Sequence, residues 1–378
     1  MSSTCPLSGL TVIEIGHSVA APYAGMILGE LGADVIKVEN PEGGDACRGW
    51  GPPFTDGTAT AFHAFNRAKR GITVDLTDPA QVETLRRLVL DRADVLIHNQ
   101  KFGTLDRYGL STKALSAEKP SLVICNIGAF GANGPLRDRP GYDPMMQAYG
   151  GLMSLLGEDG RPPVRVTVSI IDMATAMWAV IGVLGALQER ARTGRGGIVD
   201  TSLYETTIAW MTLPLSGYLA DGQLPQRWGS GVGPIVPYQA FSASDGDIMV
   251  AAGNDNLFRR LCEAIGRPRL AEDPCFKTNA DRVVNRTALI AILSDLFSAE
   301  PIEVWARRLD AAGIPNSPIQ TLDEVVADPQ TTALGIVQQL RSISLVGLPL
   351  SFDGGRPPLA KLAPGLGEDN SAILDQAE

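Results

Sequence analysis

A single carboxylate begins a long apolar run in this chain of 378 residues. Asp172 is followed by residues 173–187, none of which is charged. An ionised carboxylate beside so much apolar surface is costly unless something uses it or caps it. As a nucleophile, Asp172 would form a covalent acyl intermediate, and the helix N-terminus would keep it ionised at neutral pH. As an N-cap it would contribute about 1 kcal/mol, and because such caps are common the residues alone favour this role.

The other residue types that carry chemistry are poorly placed for it. The three histidines, His17, His63 and His98, show no metal-ligand spacing, so we expect no metal site. No G-x-S-x-G sequence occurs, and Cys125 lies in an apolar stretch typical of a packed core thiol. The five cysteines include no C-x-x-C pair, which indicates free thiols in a reducing cytoplasm.

The first loop has the position of a dinucleotide site but not its sequence. Residues 16–22 follow a predicted strand, Pro22 opens a helix, and Glu39 ends the next strand. The stretch Gly-His-Ser-Val-Ala-Ala-Pro lacks the G-x-G-x-x-G spacing that lets the backbone approach a pyrophosphate. The pattern argues against a nicotinamide or flavin enzyme, although the loop can still hold some other part of a nucleotide.

The charge is negative overall and positive locally. A net charge of -10 and a pI near 4.9 predict a soluble protein and argue against a nucleic-acid binder. Basic residues nevertheless cluster just before or after three predicted strands. The clusters are Arg67, Lys69 and Arg70; Lys101 and Arg107; and Arg137 and Arg139. Because the carboxyl ends of parallel strands meet at one crevice, we expect these cations to form a pocket for a polyanion.

No feature of the sequence predicts a membrane protein. The first residues carry no basic stretch followed by an apolar segment, so we expect no signal peptide. Residues 173–187 are few for a membrane span and suit a buried helix, which Gly194 would end as a C-cap.

Strand and helix patterns alternate through the first half of the chain. This alternation predicts an α/β fold with a mostly parallel, doubly wound sheet. Strands are predicted at residues 10–15, 33–39, 71–75, 94–98, 122–126 and 197–203, and helices at 22–31, at 79–91 and after Asp172. Residues 214–233 are rich in glycine and are predicted to be a linker and loop, residues 234–330 a smaller α+β domain, and the tail a Gly- and Pro-rich segment ending in a short helix.

Seven short motifs, in this order, resemble the family III coenzyme A transferases, the CaiB/BaiF group that includes formyl-CoA transferase and carnitine CoA-transferase. Each motif is weak alone, but their shared order over residues 10–374 is specific. The motifs are Ala21-Pro-Tyr-Ala-Gly-Met with Leu31-Gly-Ala-Asp-Val-Ile-Lys-Val-Glu39; Asn66 with Lys69-Arg70; Asn99 with Gly103-Thr-Leu-Asp-Arg-Tyr-Gly109; Gly141-Tyr-Asp-Pro-Met-Met-Gln147; Thr193-Gly-Arg-Gly196; Ala312-Gly-Ile-Pro315; and Ala363-Pro-Gly-Leu-Gly-Glu368.

The resemblance implies an architecture. Residues 1–213 would form the N-terminal part of a large Rossmann-like CoA-binding domain, and residues 331–378 would return to that domain after the small one. Each chain would be an open ring, and two rings would interlock as a homodimer.

The resemblance also implies the chemistry. CoA would move from an acyl-CoA donor to a carboxylic acid acceptor, by family frequency a short dicarboxylate. Asp172 would be the nucleophile and would pass through an aspartyl anhydride and an aspartyl-CoA thioester. The CoA thioester is a substrate, so we expect no cofactor. The expected partners are these substrates and a second copy of the chain, without nucleic acid or membrane, in the cytoplasm.

The resemblance assigns further site residues. Oxyanion stabilisation is implied for a glycine-rich loop that matches Gly231 and Gly233. Contacts with CoA or substrate are implied for Val19, Ala20, Val74, Asn99, Gln100, Lys101, Arg107, Tyr142 and Asp143.

Two other functions compete with CoA transfer. An α-methylacyl-CoA racemase of the same fold would need a histidine where this chain has Tyr142, whose usual pKa near 10 makes it a poorer base at neutral pH. A nicotinamide-dependent oxidoreductase is a more distant alternative, because the first loop lacks the required glycines.

Overall fold

The structure is a computed structural model that describes residues 5–375. The chain forms two compact units. The first unit is built from the residues up to Gly151, from Val166–Thr212 and from Pro329 onward. The second unit is built from Leu152–Arg165 and Leu213–Asp328.

The strands are numbered here in chain order. They are β1 (Thr11–Ile15), β2 (Asp34–Glu39), β3 (Phe54–Thr55), β4 (Thr58–Ala59), β5 (Lys69–Thr73), β6 (Val95–His98), β7 (Val123–Gly128), β8 (Gly197–Ser202), β9 (Tyr238–Ser242), β10 (Asp247–Ala251), β11 (Asn316–Pro318), β12 (Val337–Leu340) and β13 (Ile343–Val346).

The α-helices follow the same convention. They are α1 (Ala20–Glu30), α2 (Thr60–Asn66), α3 (Pro79–Arg92), α4 (Thr104–Arg107), α5 (Thr112–Glu118), α6 (Asp143–Tyr149), α7 (Ile170–Thr193), α8 (Leu203–Trp210), α9 (Thr212–Asp221), α10 (Asp255–Ala264), α11 (Asn279–Val284), α12 (Arg286–Phe297), α13 (Ile302–Ala311), α14 (Leu322–Ala327), α15 (Pro329–Leu334) and α16 (Asn370–Ile373). Short 3₁₀ turns occupy Ala46–Gly49, Leu152–Ser154 and Pro268–Ala271.

Six strands of the first unit form one parallel sheet in the order β5-β2-β1-β6-β7-β8. Ile13, Ile36 and Leu96 lie side by side in register on three neighbouring strands and are fully buried. Such apolar strands are typical of a parallel sheet that helices cover on both faces. The predicted α/β fold with a parallel sheet is confirmed. The strand order reverses between β1 and β6, which is where open α/β sheets bind their ligands.

Helix α7 packs along this sheet against α1 and β8. Small residues allow the close approach, since a Cβ atom added at Gly182 would lie 2.5 Å from a methyl carbon of Val199. The helix ends at Gly194 in the left-handed conformation with φ 71°, which confirms the predicted C-cap. The helix is long and apolar enough to cross a membrane, but the core helix of a soluble protein passes the same test.

The second unit contains a three-stranded antiparallel sheet in the order β11-β10-β9. Its core is aromatic. The ring of Phe297 stacks on that of Phe241 at 4.8 Å and lies 4.8 Å from the ring of Trp305. Buried side chains of α10, α12 and α13 complete the same core.

Three segments depart from the sequence predictions. Helix α9 occupies residues predicted to begin a linker, because its proline lies in the first turn and one internal glycine costs a helix only about 1 kcal/mol. The helix predicted over residues 280–297 is two helices separated at Asn285. The tail contains the β12–β13 hairpin, whose alternate residues Ile343 and Leu345 are buried.

Candidate active site

A cavity of about 400 Å³ opens at the carboxyl ends of β1, β6 and β7 in the first unit. The loop after β1 contributes His17, Ser18, Val19 and Ala20. The other lining residues come from the segments after β6 and β7 and from the starts of α7 and α8; they are Asn99, Gln100, Lys101, Phe102, Thr104, Ile127, Gly128, Ala129, Arg137, Arg139, Pro140, Gly141, Tyr142, Asp172 and Leu203. The cavity therefore lies at the point where the strand order reverses.

Asp172 lies in the first turn of α7 and lines this cavity. Burial raises the pKa of its carboxyl to about 7, and the nearby Asp143 carboxylate contributes in the same direction. The prediction that the helix N-terminus keeps Asp172 fully ionised at neutral pH is therefore wrong. Burial and a like charge outweigh the favourable end of the helix dipole. About half of this group is protonated near pH 7.

Asp172 does not cap the helix. The N-cap position is occupied by Ser169, whose side chain makes no capping hydrogen bond. Instead the Oδ2 atom of Asp143 accepts hydrogen bonds from the backbone N–H groups of Ile171 at 2.7 Å and Asp172 at 3.2 Å. The N-cap interpretation of Asp172 is wrong, because a carboxylate from α6 already binds the free N–H groups of this turn. The carboxylate of Asp172 is left free to face the cavity.

Asp143 is itself held in place. It is buried, and its Oδ1 atom accepts a hydrogen bond of 2.5 Å from the Gln147 side chain. Gln147 in turn bonds the backbone N–H and C=O groups of Val166. Asp143 lines neither this cavity nor the next one described, so the structure gives it a capping role in place of the predicted CoA contact.

A second cavity of about 430 Å³ adjoins the first. The two share the residues His17, Ser18, Gln100, Thr104 and Tyr142. Val74, another predicted contact, lines the second cavity. The predicted contacts Val19, Ala20, Asn99, Gln100, Lys101 and Tyr142 all line the first.

Three predicted residues lie elsewhere. Arg107 is exposed and lines a separate groove of the first unit. Gly231 and Gly233 belong to the second unit, where the Gly231 N–H group donates to the Trp228 carbonyl at 2.9 Å. That N–H group is therefore engaged in a turn and is not a free oxyanion donor in this conformation. The Gly233 carbonyl accepts a hydrogen bond from Arg286.

Only part of the predicted polyanion pocket is present. Lys101, Arg137 and Arg139 line the first cavity, and in the described part of the chain none of them makes an ion pair with an acidic residue. The Arg137 guanidinium lies 5.4 Å from the ring centroid of Phe102. These cations, with Asp172 as the one acidic residue in the described lining, make the cavity suited to anions.

The cluster of Arg67, Lys69 and Arg70 is not part of the pocket, and that prediction is wrong. Arg67 pairs with Glu30, Lys69 with Glu14 and Arg70 with Asp34. Strand β5 begins at Lys69, two residues earlier than predicted, so these cations lie at its amino end. His17, Ser18 and Thr104 are site residues that the sequence analysis missed, because no local pattern distinguishes them from ordinary loop residues.

Comparison with known proteins decides the identity. The family model of CoA-transferase family III matches residues 7–370. The chain belongs to CoA-transferase family III. It therefore moves CoA between an acyl-CoA and a carboxylic acid, and neither an oxidoreductase nor a racemase is indicated.

Similar curated proteins and solved structures agree with this family. The chain is 36% identical to the succinate–glutarate CoA-transferase of Agrobacterium fabrum, over 99% of this chain and 96% of that one. It is 34% identical to the acetyl-CoA:oxalate CoA-transferase of Acetobacter aceti, over 97% and 95%. A CaiB/BaiF family protein from Brucella suis superposes with a TM-score of 0.89 at 40% identity, with both chains fully covered.

Proposed function

We propose that this CoA-transferase works through a covalent intermediate on Asp172. The observation that carries the proposal is the position of this carboxylate, which faces a cationic cavity while Asp143 binds the helix N–H groups in its place. A nucleophilic carboxylate divides a difficult acyl transfer into easier steps.

Four steps balance the reaction. The Asp172 carboxylate attacks the thioester carbonyl and expels CoA thiolate, leaving a mixed anhydride. The thiolate then attacks the aspartyl carbonyl, which releases the donor acid and leaves an aspartyl-CoA thioester. The acceptor carboxylate attacks this thioester, expels the thiolate and forms a second anhydride. Attack of the thiolate on the acceptor's carbonyl yields the new acyl-CoA and regenerates Asp172.

The two adjoining cavities suit the two ends of acyl-CoA. The thioester belongs in the first cavity, where Asp172 lies. The second cavity, lined by the ends of β2 and β5, suits the nucleoside end, as in other sheets of this strand order. The groove of Arg107 shares Leu76, Thr77 and Tyr108 with the second cavity, so Arg107 stays a predicted contact for a CoA phosphate.

The proposed mechanism is tested by trapping. Purified enzyme is incubated with an acyl-CoA and hydroxylamine, which attacks activated carboxylates, and the product is digested and analysed by mass spectrometry. We expect the modification on the peptide that contains Asp172 and only when acyl-CoA is present. Modification of a different carboxylate would overturn the assignment.

Transfer should depend on pH through Asp172. Only the ionised carboxylate is a nucleophile, so protonation below its pKa of about 7 removes the active form. We expect kcat/KM to rise about tenfold per pH unit below this value and to level off above it. Initial rates between pH 5 and 9 at low substrate concentration measure the profile. A profile that is flat between pH 5 and 7 would contradict the role of Asp172.

The acids are proposed to be short dicarboxylates. Relatives of this chain carry names that specify succinate, glutarate and oxalate substrates. The unpaired arginines Arg137 and Arg139 can bind the carboxylate that does not react. One charge-assisted hydrogen bond of this kind contributes about 1.5–3 kcal/mol.

Replacing Arg139 by Gln should therefore weaken the use of dicarboxylates. We expect the KM for succinate or glutarate to rise about 10- to 100-fold, because the loss of about 1.5–3 kcal/mol corresponds to that factor. Steady-state assays with a dicarboxylate and with the monocarboxylate butyrate as acceptors measure the effect. Equal losses for both acceptors would show that Arg139 binds CoA and not the distal carboxylate.

The enzyme is proposed to be a cytoplasmic homodimer. The outward face of α7 leaves Met177, Trp178, Ile181 and Leu184 exposed within one chain. Monomeric soluble proteins rarely expose contiguous apolar patches of this kind, and the family resemblance implies that a second copy covers it. Cys5, Cys47, Cys125, Cys262 and Cys275 are free, which fits a reducing compartment.

Sedimentation should show the dimer at low nanomolar concentration, because interlocked chains cannot separate without unfolding. Replacing Ile181 by Lys should disturb assembly, since it places a charge in the apolar face of α7. Analytical ultracentrifugation with fluorescence detection measures both. A folded and active monomer of the parent protein would contradict the interlocked arrangement.

A further inference from the structure

Four ionisable side chains lie buried beneath the loop that follows β1. They are Glu14, Lys37, Asp45 and Lys69. Lys37 Nζ lies 3.1 Å from Glu14 Oε1 and 3.0 Å from Asp45 Oδ2, and Lys69 Nζ lies 2.6 Å from Glu14 Oε2. The two positive and two negative charges balance, and removing one partner would leave a buried charge uncompensated.

This cluster binds the backbone of the loop directly. Lys37 Nζ donates to the Gly16 carbonyl at 2.9 Å, and Asp45 Oδ1 accepts from the Ser18 N–H group at 3.0 Å. Between them, Asn99 accepts from the His17 N–H group at 3.0 Å and donates to the His17 carbonyl at 2.8 Å. Side chains therefore bind four backbone groups within three successive residues.

The loop needs this support because its conformation is strained. Ser18 has a φ of 65°, in the left-handed region that costs a residue other than glycine roughly 1 kcal/mol. Gly16 has no room for a side chain, since an added Cβ atom would lie 2.7 Å from the Ala21 methyl group. Without the buried cluster, the backbone would relax to a more favourable conformation.

The same loop lines the substrate cavities. His17 and Ser18 contact both cavities, and Asp45 itself lines the second. We propose that Lys37 and Asp45 are positioning residues that hold this loop in the conformation that binds the CoA thioester. The inference rests on the proposed function, in which acyl-CoA occupies the two cavities. Neither residue takes part in the chemistry.

Stability alone does not account for the cluster. Buried ion pairs are often no more stabilising than apolar side chains of similar volume. A second buried pair, between Arg67 and Glu30, provides a comparison in the same unit. Arg67 also donates to the carbonyls of Ala64 and Val346, and neither member of the pair lines either substrate cavity.

The test compares Asp45→Asn with Glu30→Gln. Both variants change a buried, ion-paired carboxylate to its amide, but only Asp45 bonds the loop. In the Asp45 variant an amide N–H group would face the Lys37 ammonium group, or the Ser18 N–H group would lose its acceptor. We expect the Kd for free CoA, measured by calorimetry at about 10 °C, to rise at least tenfold in Asp45→Asn and less than twofold in Glu30→Gln.

Lys37→Met supplies a second variant, and steady-state kinetics supply a second readout. We expect the KM for acyl-CoA to rise at least tenfold in both cluster variants and the KM for the acceptor acid to change less than threefold. If Lys37→Met does not fold, Asp45→Asn decides the outcome. Variants of the cluster that bind CoA within twofold of the parent, or a Glu30→Gln variant that loses as much affinity, would overturn the proposal. A parent protein that does not bind CoA would instead overturn the proposed function.

Discussion

Asp172→Asn should have no measurable transferase activity, a loss of at least about 10⁴-fold in kcat, on the scale seen when other enzymes lose their nucleophile. The amide fills nearly the same volume but cannot form the anhydride. Coupled assays for acyl-CoA formation, with the protein at high concentration, set the lower limit. Substantial activity in this variant would exclude Asp172 as the acyl acceptor.

The same variant should be more stable than the parent at alkaline pH. The pKa of Asp172 is raised from 3.8 to about 7 in the folded protein, so the folded state binds more protons than the unfolded chain between these values. Stability of the parent therefore falls as pH rises from about 4 to about 7 and stays lower above it. The uncharged amide of the variant avoids this loss, whose upper limit is about 4 kcal/mol at about 1.4 kcal/mol per pKa unit.

Thermal melts at pH 4 and pH 8 separate the two effects. Asp172→Asn should melt close to the parent at pH 4 and several degrees higher at pH 8. The exposed Asp138, from the same loop region as the cavity arginines, offers a matched control for the loss of one negative charge. Asp138→Asn should keep activity and the parent's pH dependence of melting. If both variants lose activity alike, the effect is not specific to the nucleophile.

Asp143→Asn should shift the pH profile of the enzyme to lower pH. The Asp143 carboxylate raises the pKa of Asp172, so its replacement by a neutral amide lowers the pH at which Asp172 ionises. The amide oxygen can still accept the N–H groups of Ile171 and Asp172, so the helix keeps its cap. We expect the midpoint of the kcat/KM profile to fall by about one pH unit, since like charges nearby commonly shift a pKa by this amount or more.

Asp143→Ala distinguishes the capping role from the electrostatic one. Alanine removes both, and the loss of the cap should reduce the free energy of unfolding by about 1–2 kcal/mol. The start of α7 would then be less well ordered, so kcat should fall further than in Asp143→Asn. If both variants keep the parent's midpoint in the kcat/KM profile, the Asp143 charge has no part in setting the pKa of Asp172.

The sequence by itself determined the parallel α/β sheet, the helix that follows Asp172 and the glycine at its end. These features depend on local patterns. Strand β6 and helix α3 begin and end within one residue of their predicted bounds because the apolar periodicity and the flanking turn residues are read over a few positions. The order of motifs was enough to indicate the family, because each motif is a short contiguous stretch.

Only the tertiary structure decided the chemistry of the carboxylates and cations. The cap of α7 comes from Asp143, 29 residues before the N–H group of Asp172 that it accepts, so no local pattern could show it. The same contact, together with burial, raises the pKa of Asp172 to about 7. Arg67 and Arg139 look alike in the sequence, yet Arg67 pairs with a buried Glu30 and Arg139 lines the cavity. Burial and charge pairing depend on which distant segments pack together, and for that reason the sequence could locate the nucleophile but not its protonation state or the cations that face it.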